Sequence, residues 1–222
     1  MKALVVGASR GIGLELVRQL RADAAEVTAT ARDEAGLARL RAQGAQALEL
    51  DVTKADCAAR LQASSGAAGF GLVIVNAGVY GPRSAGLEPP SRDDFDRVMH
   101  TNVLGAMRVL AALDGSVLAA GARVAVVSSK MGSIGARAST SGWLYRASKA
   151  ALNSVLKDAS LVLAGQATCV ALHPGWVRTD MGGAGAELDV ADSAAGILRT
   201  LAGLTPADHG GFFDHRGTPI PW

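Results

Sequence analysis

Short apolar runs alternate with longer amphipathic or alanine-rich stretches along all 222 residues of the chain. Parallel strands need a long crossover between them, usually a helix, so this alternation points to βα units and not to a hairpin-built sheet. The candidate strands are 3–6, 26–31, 47–50, 72–75, 123–128, 168–172 and 211–214. Helical patterns cover 12–22, 34–43, 54–64, 92–120, 144–163 and 190–201. No composition break, Pro/Gly/Ser linker or internal repeat divides the sequence. Residues 1–222 are therefore expected to form one α/β domain, a doubly wound sandwich around a mostly or fully parallel sheet of about seven strands.

Composition narrows the function classes. Hydrophobic residues make up 49% and charged residues 19%, which is the balance of a packed domain and not of a disordered chain. A formal net charge of +2 gives no footprint for a nucleic acid, so no such partner is expected. Cys57 and Cys169 lie far apart without ligand-like neighbours, and His100, His173, His209 and His215 are scattered, so neither a disulfide framework nor a metal site is expected. The apolar run Ala3-Leu4-Val5-Val6 meets Gly7 too soon for a signal-peptide core or a membrane span. No later run reaches spanning length either, and the expected setting is the cytoplasm, with no membrane partner.

The first turn carries the first functional signal. Gly7-Ala8-Ser9-Arg10-Gly11-Ile12-Gly13 follows the first strand and opens a helix. Glycines there let backbone approach a diphosphate, and the helix N-terminus adds amide donors and a favourable dipole. The cofactor contacts expected in this turn are Gly7, Ser9, Arg10, Gly11, Ile12 and Gly13. The spacing is G-x-x-x-G-x-G, and a tight βα connection with no ligand is the plainer reading. The second strand ends Ala31-Arg32-Asp33, where a dinucleotide fold meets the adenosine ribose. An acid there would repel a 2′-phosphate. Arg32 with Arg10 can instead clamp one, which favours NADP(H) over NAD(H). On the plain alternative, Arg32 is a solvated charge and Asp33 turns inward.

Tyr145 and Lys149 stand four residues apart in a helical pattern and so share a face. A phenol with a pKa of about 10 handles protons poorly at neutral pH, and a neighbouring cation favours the phenolate. Bringing that pKa down to about 7 takes roughly 4 kcal/mol. A surface helix also carries Tyr-x-x-x-Lys by chance.

With the glycine turn, Asn76-Ala77-Gly78 after the fourth strand, Ser128-Ser129 after the fifth and the Tyr145/Lys149 pair, the whole chain resembles the short-chain dehydrogenase/reductase family, a Rossmann-type fold. Ser128 to Gly135, Tyr145 to Asn153 and the closing Gly217-Thr218-Pro219-Ile220-Pro221-Trp222 are similar to its C-factor or sniffer-type carbonyl reductase branch. The resemblance implies an NAD(P)(H)-dependent oxidoreductase interconverting a small-molecule carbonyl and an alcohol. It implies that Tyr145 is the general acid/base, that Lys149 lowers its pKa and binds the nicotinamide ribose, and that a serine holds the substrate oxygen. Asn102 matches the asparagine that supports a water and proton path to the lysine; otherwise it is a helix-interior polar residue bonded locally. Asp51 and Val52 match the adenine contact. The resemblance implies that Asn76, Ala77 and Gly78 line the cofactor, and Pro174, Gly175, Val177 and Thr179 match the nicotinamide-side loop.

One departure stands out. Ser129 precedes Tyr145 by 145 − 129 = 16 positions, longer than the family's usual separation, which leaves Ser128 and Ser133 as rivals. A strand end places a catalytic group better than a glycine-rich loop does, which points to Ser129. Trp143 and Trp176 can pack either against substrate or into the core. The short stretch Met181-Gly182-Gly183-Ala184-Gly185-Ala186 replaces a longer lid and is expected to be a mobile flap. A homodimer or homotetramer is expected through the helices at 92–120 and 144–163. The rival function is a dinucleotide-binding regulatory or signalling protein with little oxidoreductase activity.

Overall fold

The computed structural model describes residues 1–64, 69–113 and 117–222. Seven strands form one sheet in the order β3-β2-β1-β4-β5-β6-β7. They are β1 Lys2–Val6, β2 Glu26–Ala31, β3 Gln46–Glu49, β4 Phe70–Val75, β5 Leu118–Val127, β6 Ala167–His173 and β7 Gly211–Asp214. Every strand pairing is parallel, with Val5 opposite Ala29 on one side and Ile74 on the other.

Two helical layers cover the sheet because its side chains alternate between faces. Leu4, Val6, Val73, Val75, Val124 and Val126 point to one core, closed by α3 Cys57–Ser64, α5 Gly105–Ala111 and α6 Trp143–Val162. Ala3, Val5, Leu72, Ile74 and Ala125 point to the other, closed by α1 Gly11–Ala22, α2 Glu34–Ala42 and α7 Val190–Gly203. Both faces are buried, so the central strands read as unbroken apolar runs. Leu4 and Ile74 are fully inaccessible to solvent. Each such side chain contributes about 1.5–3 kcal/mol by leaving water, and cutting Ile74 to Ala would cost about 2–5 kcal/mol.

The sequence reading places one helix over 92–120, and the structure corrects it. Helix α4 spans Arg92–Met99, widens into a π-helical turn over His100–Leu104, and continues as α5 to Ala111. Residues 114–116 lie outside the described residues, and Leu118 already pairs with Phe70 at the start of β5. Helix α3 likewise starts at Cys57 and not at Lys54, because the Asp51 side chain accepts from both Thr53 N and Thr53 Oγ1 and forms a turn there.

The order of strands reverses between β1 and β4. Their neighbours diverge there, which opens a crevice at the C-terminal ends of the strands. The first turn, Asn76 and Ser128 all stand at that edge.

Candidate active site

The crevice is a cavity of about 690 Å³ running from Arg32 and Asp51 to Tyr145 and Lys149. Its floor is the turn after β1. Gly7 adopts φ +82° and its amide donates to Thr30 Oγ1 at 3.0 Å. A Cβ on Gly7 would lie 2.5 Å from Ala77 Cα, and one on Gly13 would lie 2.4 Å from Gly7 O and 2.7 Å from Asn76 Nδ2. Only glycine permits this close packing. Arg10 at the N-cap of α1 makes no capping bond, and the first turn carries no acid, so the amides of that turn have no side-chain acceptor. Such an end fits a phosphate group.

Tyr145 and Lys149 lie on the buried face of α6, 7% and 4% exposed. Ser129, 7% exposed, stands beside Tyr145 and acts to lower the pKa of its phenol. Ser129 also accepts from Met131 N at 3.1 Å, which caps a short turn after β5. That turn is pressed on α6: a Cβ on Gly132 would lie 2.7 Å from the Lys149 carbonyl carbon. The position of Ser129 opposite Tyr145 is thus set by backbone packing. Lys149 Nζ donates to Val127 O at 2.8 Å and stands 5.7 Å from the centre of the Tyr145 ring.

Burial dominates the electrostatics. It pushes the Tyr145 phenol up to about 12, against the lowering influence of Ser129 and with a smaller contribution from Tyr80. Burial alone pulls the Lys149 ammonium down to about 8. The sequence-based expectation of a phenol lowered by Lys149 therefore runs opposite to the shift found in the protein alone.

Asn102 sits in the π-helical turn, 1% exposed. Its Oδ1 accepts from Val79 N at 2.8 Å, and its Nδ2 donates to Val79 O at 2.8 Å and Ser148 Oγ at 2.9 Å. It ties the loop after β4 to α6. A Cβ on Gly78 would lie 3.4 Å from Asn102 Oδ1 and 3.5 Å from Lys149 Nζ, so all three meet at one point.

Across the cavity runs the segment after β6. Thr179 Oγ1 accepts from Gly182 N at 3.1 Å, Trp176 Nε1 donates to Gly182 O at 3.0 Å, and Arg178 reaches Ala186 O at 2.9 Å and Asp189 Oδ1 at 2.6 Å. Asp180 forms an ion pair with Arg10, linking this segment to the turn after β1.

A family model described as short chain dehydrogenase matches residues 1–187. The chain belongs to the short-chain dehydrogenase family. C-signal of Myxococcus xanthus is 44% identical over 153 residues, 68% of this chain and 92% of that protein. The carbonyl reductase Sniffer of D. melanogaster superposes with a TM-score of 0.90 at 30% identity, covering 100% of this chain and 99% of that one. A carbonyl reductase of Pseudomonas aeruginosa PAO1, solved in complex with NADP, gives 0.88 at 36% identity with coverage of 100% and 99%.

For this short-chain dehydrogenase, the cavity gathers most of the residues singled out from sequence: Gly7, Ser9, Arg10, Gly11, Ile12, Arg32, Asp51, Val52, Asn76, Ala77, Gly78, Tyr145, Lys149, Pro174 and Thr179. Gly13 acts in packing. Gly175 and Val177 face elsewhere: a Cβ on Gly175 would lie 2.8 Å from Leu188 Cδ2, and Val177 bridges to Leu188. Ser128 donates to Asn153 Oδ1 at 2.5 Å, and Ser133 is fully buried against the carbonyl of Pro221. The lengthened loop before Tyr145 is held by Arg146, which donates to Ser141 O at 2.8 Å and Ser139 Oγ at 3.0 Å. Asp33 caps α2 by accepting from Gly36 N at 2.7 Å.

Sequence reasoning missed Tyr80, whose ring stacks on Tyr145 at 4.5 Å between centroids, under the Arg83 guanidinium at 5.4 Å. The available signal was an aromatic two positions after Asn76-Ala77-Gly78. It missed Thr30 and Arg39 as well, since neither belongs to a recognisable motif. No helix among the described residues is long and apolar enough to cross a membrane. Among those residues, no three His, Cys, Asp or Glu side chains gather as metal ligands.

Proposed function

We propose that this oxidoreductase is an NADPH-preferring carbonyl reductase or alcohol dehydrogenase with Tyr145 as general acid/base. The observation that carries the reading is that Tyr145 and Lys149, 5.7 Å from ring centre to Nζ, line one cavity with an uncapped, glycine-lined helix end, with Ser129 beside the phenol. The bound nicotinamide supplies hydride exchange with the substrate carbon. Every other task falls to the chain. Ser129 and Tyr145 hold the substrate oxygen. A phenol held near 12 is protonated at neutral pH, which suits donation to a carbonyl oxygen during reduction. Lys149, close to 8, keeps most of its charge at pH 7 and opposes the build-up of positive charge nearby no less than it favours the phenolate. Asn102 fixes the loop that brackets both. Solved relatives with NADP bound, the absence of an acid at position 32, and the pairing of Asp33 with Gly36 N support the cofactor choice.

On this reading the whole of 1–222 serves as one dinucleotide-binding unit, and copies pair through α4–α5 and α6, where Phe95, Met107 and Leu161 are exposed. The deciding experiment is Tyr145→Phe. It should bind NADPH within about threefold of the parent by cofactor fluorescence, yet lose carbonyl reduction by roughly 10²–10⁴ in kcat. An unmodified protein that binds NADPH but reduces no aldehyde, ketone or quinone in a broad screen would be a dinucleotide-binding regulator instead.

A further inference from the structure

Arg32 and Arg39 both line the cavity, and of the two only Arg32 was singled out from sequence. Arg10 lines the cavity, yet its side chain is drawn across the cleft into the ion pair with Asp180, toward the segment after β6. From α2, a second guanidinium reaches the cavity that Arg32 lines. Gly36 makes this possible: a Cβ there would lie 2.7 Å from Ala31 Cβ and 2.9 Å from Ser9 Cβ, so α2 rests directly on the end of β2 and on the turn after β1. Arg39 is three residues further on, the same face of the helix. Its Nε donates to Ser9 O at 2.8 Å, and the residue lines the cavity together with Arg32. One of five donors holds Arg39 in place, and the remaining fork stays available for an oxyanion. Neither Arg32 nor Arg39 forms a carboxylate ion pair among the described residues. Of the acids beside them, Asp51 feels the charge of Arg32, and both it and Asp33 also accept hydrogen bonds within their own turns. Asp33 caps α2, and Asp51 accepts from Thr53 N and Oγ1.

We propose that Arg39, acting with Arg32, is the residue that recognises the 2′-phosphate of the adenosine ribose, while Arg10 serves as a clasp to Asp180. This assignment rests on the NADP(H) reading above and names which side chains enforce it. A dianionic phosphate is met by two forks from different elements, one at the strand end and one on the helix, so the pair distinguishes the phosphorylated ribose from the free 2′-hydroxyl.

The test is calorimetric and needs no substrate. Dissociation constants for NADP⁺, NAD⁺, 2′,5′-ADP and 5′-AMP are measured for the unmodified protein and for Arg39→Gln, Arg39→Lys, Arg32→Gln and Arg10→Gln. Circular dichroism confirms that each variant is folded, as expected for exposed positions. Arg39→Gln should weaken NADP⁺ and 2′,5′-ADP by roughly 10- to 100-fold and leave NAD⁺ and 5′-AMP within about threefold, the scale of a lost charge-assisted pair. Arg39→Lys keeps the charge without the fork and should fall between. Arg10→Gln should change both nucleotide forms by similar factors. If the unmodified protein prefers NADP⁺ and Arg10→Gln abolishes that preference while Arg39→Gln preserves it, the assignment of Arg39 is overturned and the cofactor reading survives. If the unmodified protein binds NAD⁺ as well as or better than NADP⁺, both fall.

Discussion

One wall of the cavity is welded to the sheet and the other is laced together by side chains. On the first wall, Asn76 N and Ala77 N donate to Val6 O at 2.9 and 3.0 Å, Asn76 Nδ2 donates to Gly7 O at 2.7 Å, and three glycine positions have no room for a methyl group. On the second, residues 176–189 depend on Trp176, Arg178 and Thr179 reaching main-chain oxygens and amides of their own segment. The expected mobile flap thus has a defined lacing, with Gly183 N bonded to Thr179 O at 2.8 Å. The difference teaches where precision and adjustability reside. Strand ends and close backbone packing hold what must bind the nucleotide, and exchangeable polar contacts hold what must let ligands pass.

The contrast breaks most sharply at Gly13. Gly13→Ala places a methyl inside contact distance of Gly7 O and Asn76 Nδ2 and should cost about 3 kcal/mol in urea unfolding, with nucleotide binding lost alongside. An alanine variant of unchanged stability would show that the first wall yields after all.

His173 marks the place where the two walls meet, at the end of β6. Burial, then the charge of His215, holds its imidazole down at about 4, and its Nδ1 has no hydrogen-bond partner. The folded value lies below the unfolded one, so the unfolded chain takes up the proton first as pH falls. Stability is therefore lost from about pH 6.5 down toward 4 and is flat above that window. Between pH 7 and 5 the parent should lose about 2 kcal/mol more than His173→Gln; parallel pH profiles would contradict this.

Smaller effects belong to the laced wall. Arg178→Ala removes the contacts to Ala186, Glu187 and Asp189 and should speed amide exchange across 183–188 about tenfold while moving global stability by less than about 1 kcal/mol. Unaltered exchange would assign the holding role to Trp176 and Thr179. Gly185→Ala, whose new methyl would come no nearer than 3.9 Å to Trp176, should stay within about 0.5 kcal/mol of the parent.

Much of the site was legible because the relevant residues lie at strand ends, and the period of the apolar runs locates strand ends well. The period located the strand ends before Gly7, Asn76 and Ser128, while the choice of Asn76 and Ser129 at two of them came from the family resemblance. What could not be read is what depends on contacts between distant segments. An alanine-rich stretch gives no periodicity to separate α5 from the start of β5, which is why a single helix over 92–120 was expected. The state of Tyr145 depends on how completely α6 is covered, and burial, which spacing does not reveal, is the largest influence on its phenol. Arg39 enters the cavity through the close approach of Gly36 to Ser9, a contact between residues far apart in the chain.

Tyr80 and Tyr145 are the chain's two tyrosines, and they are stacked on each other. All tyrosine optical activity in the near ultraviolet therefore originates at one spot, and the coupled rings give it a dichroic signature of their own. Tryptophan absorbs nearby but does not ionise, so an alkaline difference spectrum records phenolate formation here without labelling or background. The protein carries a built-in chromophore pair that reports the protonation of the two stacked phenols themselves.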